Sequence, residues 1–176
     1  MAQLLRSPTA SDYEAIASWI PDAEQCARWG GPHLAFPFSG SELPRLIAAA
    51  PPIVPGETNT SFSLVDDSDE SSEPLGFGQL VRQDRSTFRL ARLIVAPSRR
   101  RCGLGAVLCK LLIARAESFD EAASVTLFVF RDNAAAVQLY TKLGFVEAPP
   151  HPRAQVDPRL TVMAMSKSIT RADGRF

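Results

Sequence analysis

Along this chain the apolar positions switch repeatedly between a helical and an alternating period, and each switch marks an element. Gln3 to Arg6 reads as a short strand, and Thr9 or Ser11 then supplies an N-cap for a helix through about Trp19. Pro21-Asp22 interrupts that helix, and a second helical piece runs from roughly Asp22 to Trp29. Trp29-Gly30-Gly31-Pro32 and Phe36-Pro37-Phe38 are loop-like, and a helix from Ser41 to Ala50 stops at Pro51-Pro52. Strand patterns follow in series at Thr60–Val65, Leu75–Val81 and Thr87–Val95. The acidic run Asp66–Glu73 and the turn Gln83–Ser86 separate them, so these pairings are expected to be antiparallel hairpins. From Ala106 to Ser118 the period is helical, with Leu104, Val107, Leu108, Leu111 and Leu112 at core spacing. Val125–Phe130 is a strand by its β-branched and aromatic content. Arg131-Asp132-Asn133 is a polar stop that caps a helix from Ala134 to about Leu143, and Gly144 ends it as the residue after the C-cap. Phe145-Val146 begins another strand, Ala148–Pro158 is irregular and proline-rich, Leu160–Ser168 is the last strand, and Ile169–Phe176 reads as a frayed tail.

Composition narrows the class. The 176 residues suit one domain, drawn here as 1–168 with a flexible tail at 169–176. Hydrophobic content of 45% and charged content of 22% are those of an ordinary globular protein. A formal net charge of zero argues against a nucleic-acid binder, despite Arg99, Arg100 and Arg101. No apolar run approaches the length of a membrane span, and the first residues, MAQLLRSPTASDYE, lack a signal peptide's apolar core. A cytoplasmic protein, monomer or homodimer, is therefore expected. Cys26, Cys102 and Cys109 form no paired framework or metal-ligand spacing, and no metal is expected.

The chemistry concentrates in Leu90–Gly105. The apolar run Leu93-Ile94-Val95 stops at Ala96-Pro97, three arginines follow, and Gly103 and Gly105 precede a helix. Helix N-termini carry unpaired N–H groups and partial positive charge, glycines admit a phosphate to the backbone, and arginines add charge-assisted hydrogen bonds. A phosphorylated ligand is expected here. The G-x-x-x-x-G-K-[ST] run of a nucleotide P-loop is absent, and Leu108 stands where a dinucleotide fingerprint would have its third glycine. In the second block, Asn133, Ala136 and Tyr140 share one helix face at i, i+3, i+7.

Val95-Ala96-Pro97 followed by Arg100-Arg101-Cys102-Gly103-Leu104-Gly105 resembles the acyl-CoA pyrophosphate loop of the GNAT N-acetyltransferase superfamily, [QR]-x-x-G-x-[GA] after a V-x-P strand end. The block Asn133, Ala136, Leu139, Tyr140, Gly144 and Phe145 resembles that superfamily's N-x-x-A-x-x-[LF]-Y-x-x-x-G-F segment. The resemblance is specific over residues 90–146 and weak before them. It implies an α+β fold: a mostly antiparallel twisted sheet of about seven strands, flanked by helices and splayed between the fourth and fifth strands. It also implies transfer of an acetyl group from acetyl-CoA to a primary amine, on a small molecule or a protein N-terminus, by direct attack. Pantetheine would pair with the backbone of Leu93 and Val95, flanking Ile94. The backbone from Arg101 to Ala106 would cradle the pyrophosphate, with Arg100 beside it, and Asn133 and Ala136 would face the thiol end. Tyr140 would protonate the leaving thiolate, since a phenol with a pKa of about 10 remains a donor at neutral pH.

One departure stands out. Many family members place a glutamate in the fourth strand as general base, whereas this strand carries Arg89 and Arg92. Glu57, Asp66, His33 and His151 are the alternatives for that base, none on a motif. Arg92 either faces the cleft, where it would bind an anionic part of the acceptor, or lies solvated at a strand edge. Trp29, Phe36 and Phe38 either line the acceptor cleft or cap the core. Without a base, a non-catalytic acyl-CoA-binding module is the alternative function.

Overall fold

In the computed structural model the described residues are 2–66, 68, 73–157 and 160–170. The order is β1 (Gln3–Arg6), α1 (Ala10–Ser18), α2 (Ala23–Gly30), α3 (Leu43–Ala49), β2 (Thr58–Asp66), β3 (Gly76–Arg82) and β4 (Thr87–Val95). After a 3-10 turn at Pro97–Arg99 come α4 (Leu104–Glu117), β5 (Ser124–Phe130), α5 (Ala134–Lys142), β6 (Val146–Glu147) and β7 (Val162–Ser168). The seven strands make one sheet in the order β1-β2-β3-β4-β5-β7-β6. Every neighbouring pair is antiparallel except β4–β5, which is parallel because α4 carries the chain back between them.

Each face of the sheet holds a core. Leu108 and Leu112 of α4, with Tyr140 and Phe145, cover Leu90, Val125 and Leu127 on one side. On the other, Ile16, Cys26 and Leu43 from α1, α2 and α3 close over Phe77. Strand residues alternate accordingly: Val125, Leu127 and Val129 are buried while the residues between them are half-buried.

The boundaries differ from expectation by a few residues. α4 begins at Leu104 rather than Ala106, because Gly103 already takes the N-cap position. Phe145 is a core side chain, and β6 is only Val146–Glu147. Ile169 does not fray: its N–H donates to the Ala123 carbonyl at 2.8 Å, and its side chain packs on the larger core. The tip of the acidic run (67, 69–72) and the end of the tail (171–176) lie outside the described residues.

Thr9 caps α1 as expected, through a capping box closed by Asp12. Asp12 also ties α1 to the sheet. Its carboxylate takes the Arg6 guanidinium, the Thr9 N–H at 2.9 Å and the Ser63 hydroxyl at 2.8 Å, with only 2% of the residue exposed. Burial alone would raise its pKa, but these donors and the Arg6 charge outweigh it and hold the carboxyl below its ordinary value. A depressed folded pKa contributes stability that is complete above the unfolded value and lost as pH falls through the folded one. Asp12→Asn is therefore expected to cost about 1.5–3 kcal/mol at neutral pH and to flatten the acid limb of stability against pH, as urea unfolding at pH 7 and pH 3 would show.

Candidate active site

Register between β3 and β4 slips once. Phe77 faces Ile94 and Gln79 faces Ala91, so Gly78 alone opposes both Arg92 and Leu93. This is a β-bulge, and Arg92 takes a left-handed backbone with φ of 49° to form it. A Cβ on Gly78 would lie 2.8 Å from Leu93 Cδ2 and 2.9 Å from Leu112 Cδ1, so glycine lets the bulge and α4 approach together. Pairing of β4 with β5 runs from Thr87↔Ser124 to Leu90↔Leu127 and goes no further. Beyond it the strands part, as the resemblance implies. The gap encloses about 110 Å³, lined by Leu90, Arg92, Leu93, Phe128, Asn133 and Tyr140 among others.

Two adjacent residues of α2 bridge this gap. The Trp29 indole N–H donates to the Arg92 carbonyl at 2.8 Å, which fixes the bulge on the β4 side. Arg28 reaches the β5 side, where it pairs with Asp132 at 2.6 and 3.1 Å and lies 4.6 Å over the Phe130 ring. The hydrogen bond from Arg28 holds the Asp132 carboxyl below its ordinary value. Trp29 thus lines the cleft while also packing on Phe77, whereas Phe36 and Phe38 pack against each other in the following loop.

The basic turn follows the end of β4. Arg100 Nε donates to the Val95 carbonyl at 3.3 Å, Arg101 and Gly103 take left-handed backbone at φ 63° and 80°, and α4 starts with no side-chain cap. Among the described residues, the amides of Arg101, Cys102, Gly103, Leu104 and Gly105 find no backbone acceptor. The Ala106 amide, expected in the same cradle, instead bonds to the Gly103 carbonyl at 3.0 Å. Five amides without backbone acceptors at a helix N-terminus have the chemistry that suits an anion. Gly105 keeps α4 close to α5, since a Cβ there would lie 3.4 Å from Leu139 Cδ2. Cys102 is exposed in the turn and Cys109 is buried beneath it.

α5 supplies the second set. Asn133 is its N-cap, accepting from the Ala136 amide at 3.3 Å, and Tyr140 is buried two turns further along the same face. Burial, with a smaller contribution from Cys109, pushes the Tyr140 phenol well above its ordinary value. The Cys109 thiol is itself pushed up to about 12 by burial.

The four alternatives for a base sit elsewhere. Glu57 is buried against Arg89 at 2.8 Å and caps the amides of Ile53 and Val54. His151 pairs with Asp84 at 2.9 Å by the β3–β4 turn, Asp66 ends β2 where it receives the Ser68 amide, and His33 is exposed after α2. None of them lines the gap. Sequence reasoning missed a second cavity of about 440 Å³ between β5, β7 and the proline-rich segment, lined by Phe128, Glu147, Pro149, Val156 and Met163. Phe128 borders both cavities, and Arg131–Glu147 at 2.7 Å stands on the rim.

The model of the family described as "Acetyltransferase (GNAT) family" matches residues 32–145. Among solved structures, the spermidine N-acetyltransferase from Vibrio cholerae in complex with CoA and spermine superposes with a TM-score of 0.70 at 19% identity, over 94% of this chain and 95% of that one. The aminoglycoside acetyltransferase AAC(6')-Ib in complex with coenzyme A and kanamycin gives 0.66 at 19%, over 95% of each chain. A domain from Methanocaldococcus jannaschii gives 0.70 at 9%, over 96% of this chain and 99% of that one. At these identities the likeness is one of fold.

The bond from Trp29 to the Arg92 carbonyl has a direct test. Trp29→Phe keeps an aromatic ring on Phe77 but leaves that carbonyl unsatisfied. It is expected to lower stability by about 1–3 kcal/mol with an unchanged denaturant slope, and an unshifted midpoint would show that the bond contributes nothing.

Proposed function

Because the chain belongs to the acetyltransferase (GNAT) family, we propose that it moves an acetyl group from acetyl-CoA to a primary amine, with residues 1–168 acting as one catalytic domain. The observation that carries this reading is a pair of features. Amides of Arg101–Gly105 without backbone acceptors stand at the start of α4, and Tyr140 lines the β4–β5 splay. The amides suit the cofactor's pyrophosphate, with Arg100 and Arg101 as counter-charges. Pantetheine lies along Leu93, Ile94 and Val95, where β4 has lost its β5 partner, and its thiol end reaches Asn133 and Ala136. Acetyl-CoA supplies the activated thioester.

The acceptor enters from the α2 side, with the neighbouring 440 Å³ cavity for the rest of its body. Its neutral amine adds to the thioester carbonyl, the tetrahedral adduct collapses, and the sulfur leaves with a proton from Tyr140. Burial keeps the Tyr140 phenol protonated at neutral pH, so the donor is in place as the sulfur departs, and the tyrosinate left behind regains its proton from solvent. None of the alternative carboxylates and histidines lines the gap, so the amine loses its proton to solvent. The acceptor is a small molecule or a protein N-terminus.

Calorimetry with acetyl-CoA, CoA and ATP tests the first half. Tight binding of both CoA species and weak binding of ATP is the expected result. Gly103→Ala places a methyl in the open space before α4 and costs about 1–2 kcal/mol in the left-handed conformation, so acetyl-CoA affinity is expected to fall at least tenfold. Retained affinity would overturn the loop assignment. Tyr140→Phe is expected to lower kcat by about 10²–10⁴ with acetyl-CoA affinity preserved, and an unchanged kcat would remove Tyr140 as the acid. The kcat/KM profile is expected to rise with pH through the acceptor amine's own pKa. A lower, acceptor-independent pKa would point instead to a base on the protein.

A further inference from the structure

Arg92 carries a charge that the protein does not match. Its Nη1 donates to Gln79 Oε1 at 2.7 Å and its Nη2 to the Gly30 carbonyl at 3.3 Å, both neutral acceptors. Its Nε is buried without a partner. No carboxylate among the described residues pairs with it. Glu57, whose field reaches it, is already held by Arg89, and Arg89 adds a like charge nearby. Burial and Arg89 bring the guanidinium down only to about 10, so it stays cationic at neutral pH. The other cation on the gap's lining, Arg28, is matched by Asp132. Leaving a mostly buried charge without a counter-ion is costly, and the usual remedy is a paired anion.

The position of this charge points to the acceptor rather than the cofactor. Gln79 shares its sheet face with Phe77, the face covered by α1, α2 and α3. The Gly30 carbonyl lies at the end of α2. The guanidinium therefore sits on the α2 side of the splay, whereas the unpaired amides that suit a pyrophosphate lie at the start of α4.

We propose that the amine acetylated here also carries a carboxylate, and that Arg92 binds it in the splay and selects such acceptors. The proposal rests on the acetyltransferase reading above. It separates this cleft from the spermine and kanamycin complexes of its structural neighbours, whose polycations would here face an unmatched arginine. Arg92 binds and positions; it takes no proton.

The test is a panel of acceptors assayed with acetyl-CoA by release of free CoA thiol. The panel holds the common amino acids and short peptides, each beside its carboxamide, together with spermidine and kanamycin. The expected result is a carboxylate-bearing amine with kcat/KM about 10- to 100-fold above its carboxamide, the range of a charged hydrogen-bonded contact. Arg92→Gln is expected to bring that ratio near one, chiefly through KM for the carboxylate, and Arg92→Lys to restore part of it. Gln79→Glu gives Arg92 an internal counter-ion and is expected to abolish the same preference, which keeps the idea testable if Arg92→Gln fails to fold. A preference for spermidine or kanamycin would overturn the proposal. So would equal use of acids and amides, a loss in Arg92→Gln shared equally by both, or acetyl-CoA binding with no carboxylate-bearing amine acetylated. Failure to bind acetyl-CoA would instead overturn the acetyltransferase reading, and this proposal with it.

Discussion

Gly78 opposes two residues where a regular ladder would oppose one, and the cleft depends on that mismatch. The inserted residue bends β4 and increases its twist, so the strand stays paired to β3 along its length but departs from β5 after Leu90. A gap of this kind is costly if its backbone groups stay dry and unpaired. The chain meets part of that cost with α2, whose Trp29 takes the Arg92 carbonyl and whose terminal Gly30 carbonyl receives the Arg92 guanidinium. The small core under α1, α2 and α3 therefore does more than bury Phe77, because it holds the element that keeps the bulge in shape.

The two anchors of α2 differ in strength. On the β4 side the indole bond lies in a partly buried setting, where a lost acceptor costs about 1–3 kcal/mol. On the β5 side Asp132 is 67% exposed, so water screens its pair with Arg28 and the contact is weak, with some support from Arg28 over Phe130. The contact on the β5 side is therefore the more solvent-screened of the two. An acceptor that displaces the Arg28–Asp132 contact leaves the bulge intact.

Local features were legible in the sequence because their causes are local. Thr9 capping α1, Asn133 capping α5, Gly144 in left-handed backbone and the basic glycine turn before α4 each depend on residues within a few positions. Tyr140 shares a helix face with Asn133 by spacing alone, and both line the gap. The bulge was not legible, because it is a mismatch between two strands and no window along one of them contains it. The same holds for Trp29 with Arg92, 63 residues apart, and Arg28 with Asp132, 104 apart. Glu57 and His151 were plausible bases by residue type, but spacing says nothing about which end of a sheet a side chain reaches. Arg89 and Glu57 show the point: two charges unexplained in the sequence cancel each other 32 residues apart.

Among the described residues, two sets of donors without protein partners lie on β4 and at the turn that follows it. Five amides at the start of α4 lack backbone acceptors, and one arginine on the splayed part of β4 lacks a counter-charge. Both are donors, both want anions, and elsewhere the chain supplies partners readily: Asp12 alone gathers three. The amides of Arg101, Cys102 and Gly103 belong to exposed residues that water reaches, whereas Arg92 Nε is buried without a partner and lowers the stability of the unliganded protein. A ligand bearing an anion there would recover that free energy on binding, and would stabilise the folded state in proportion to its occupancy. The carboxylate site proposed at Arg92 lies on the α2 side of the splay, apart from the amides of Arg101–Gly105, so the two proposed anion sites would not compete.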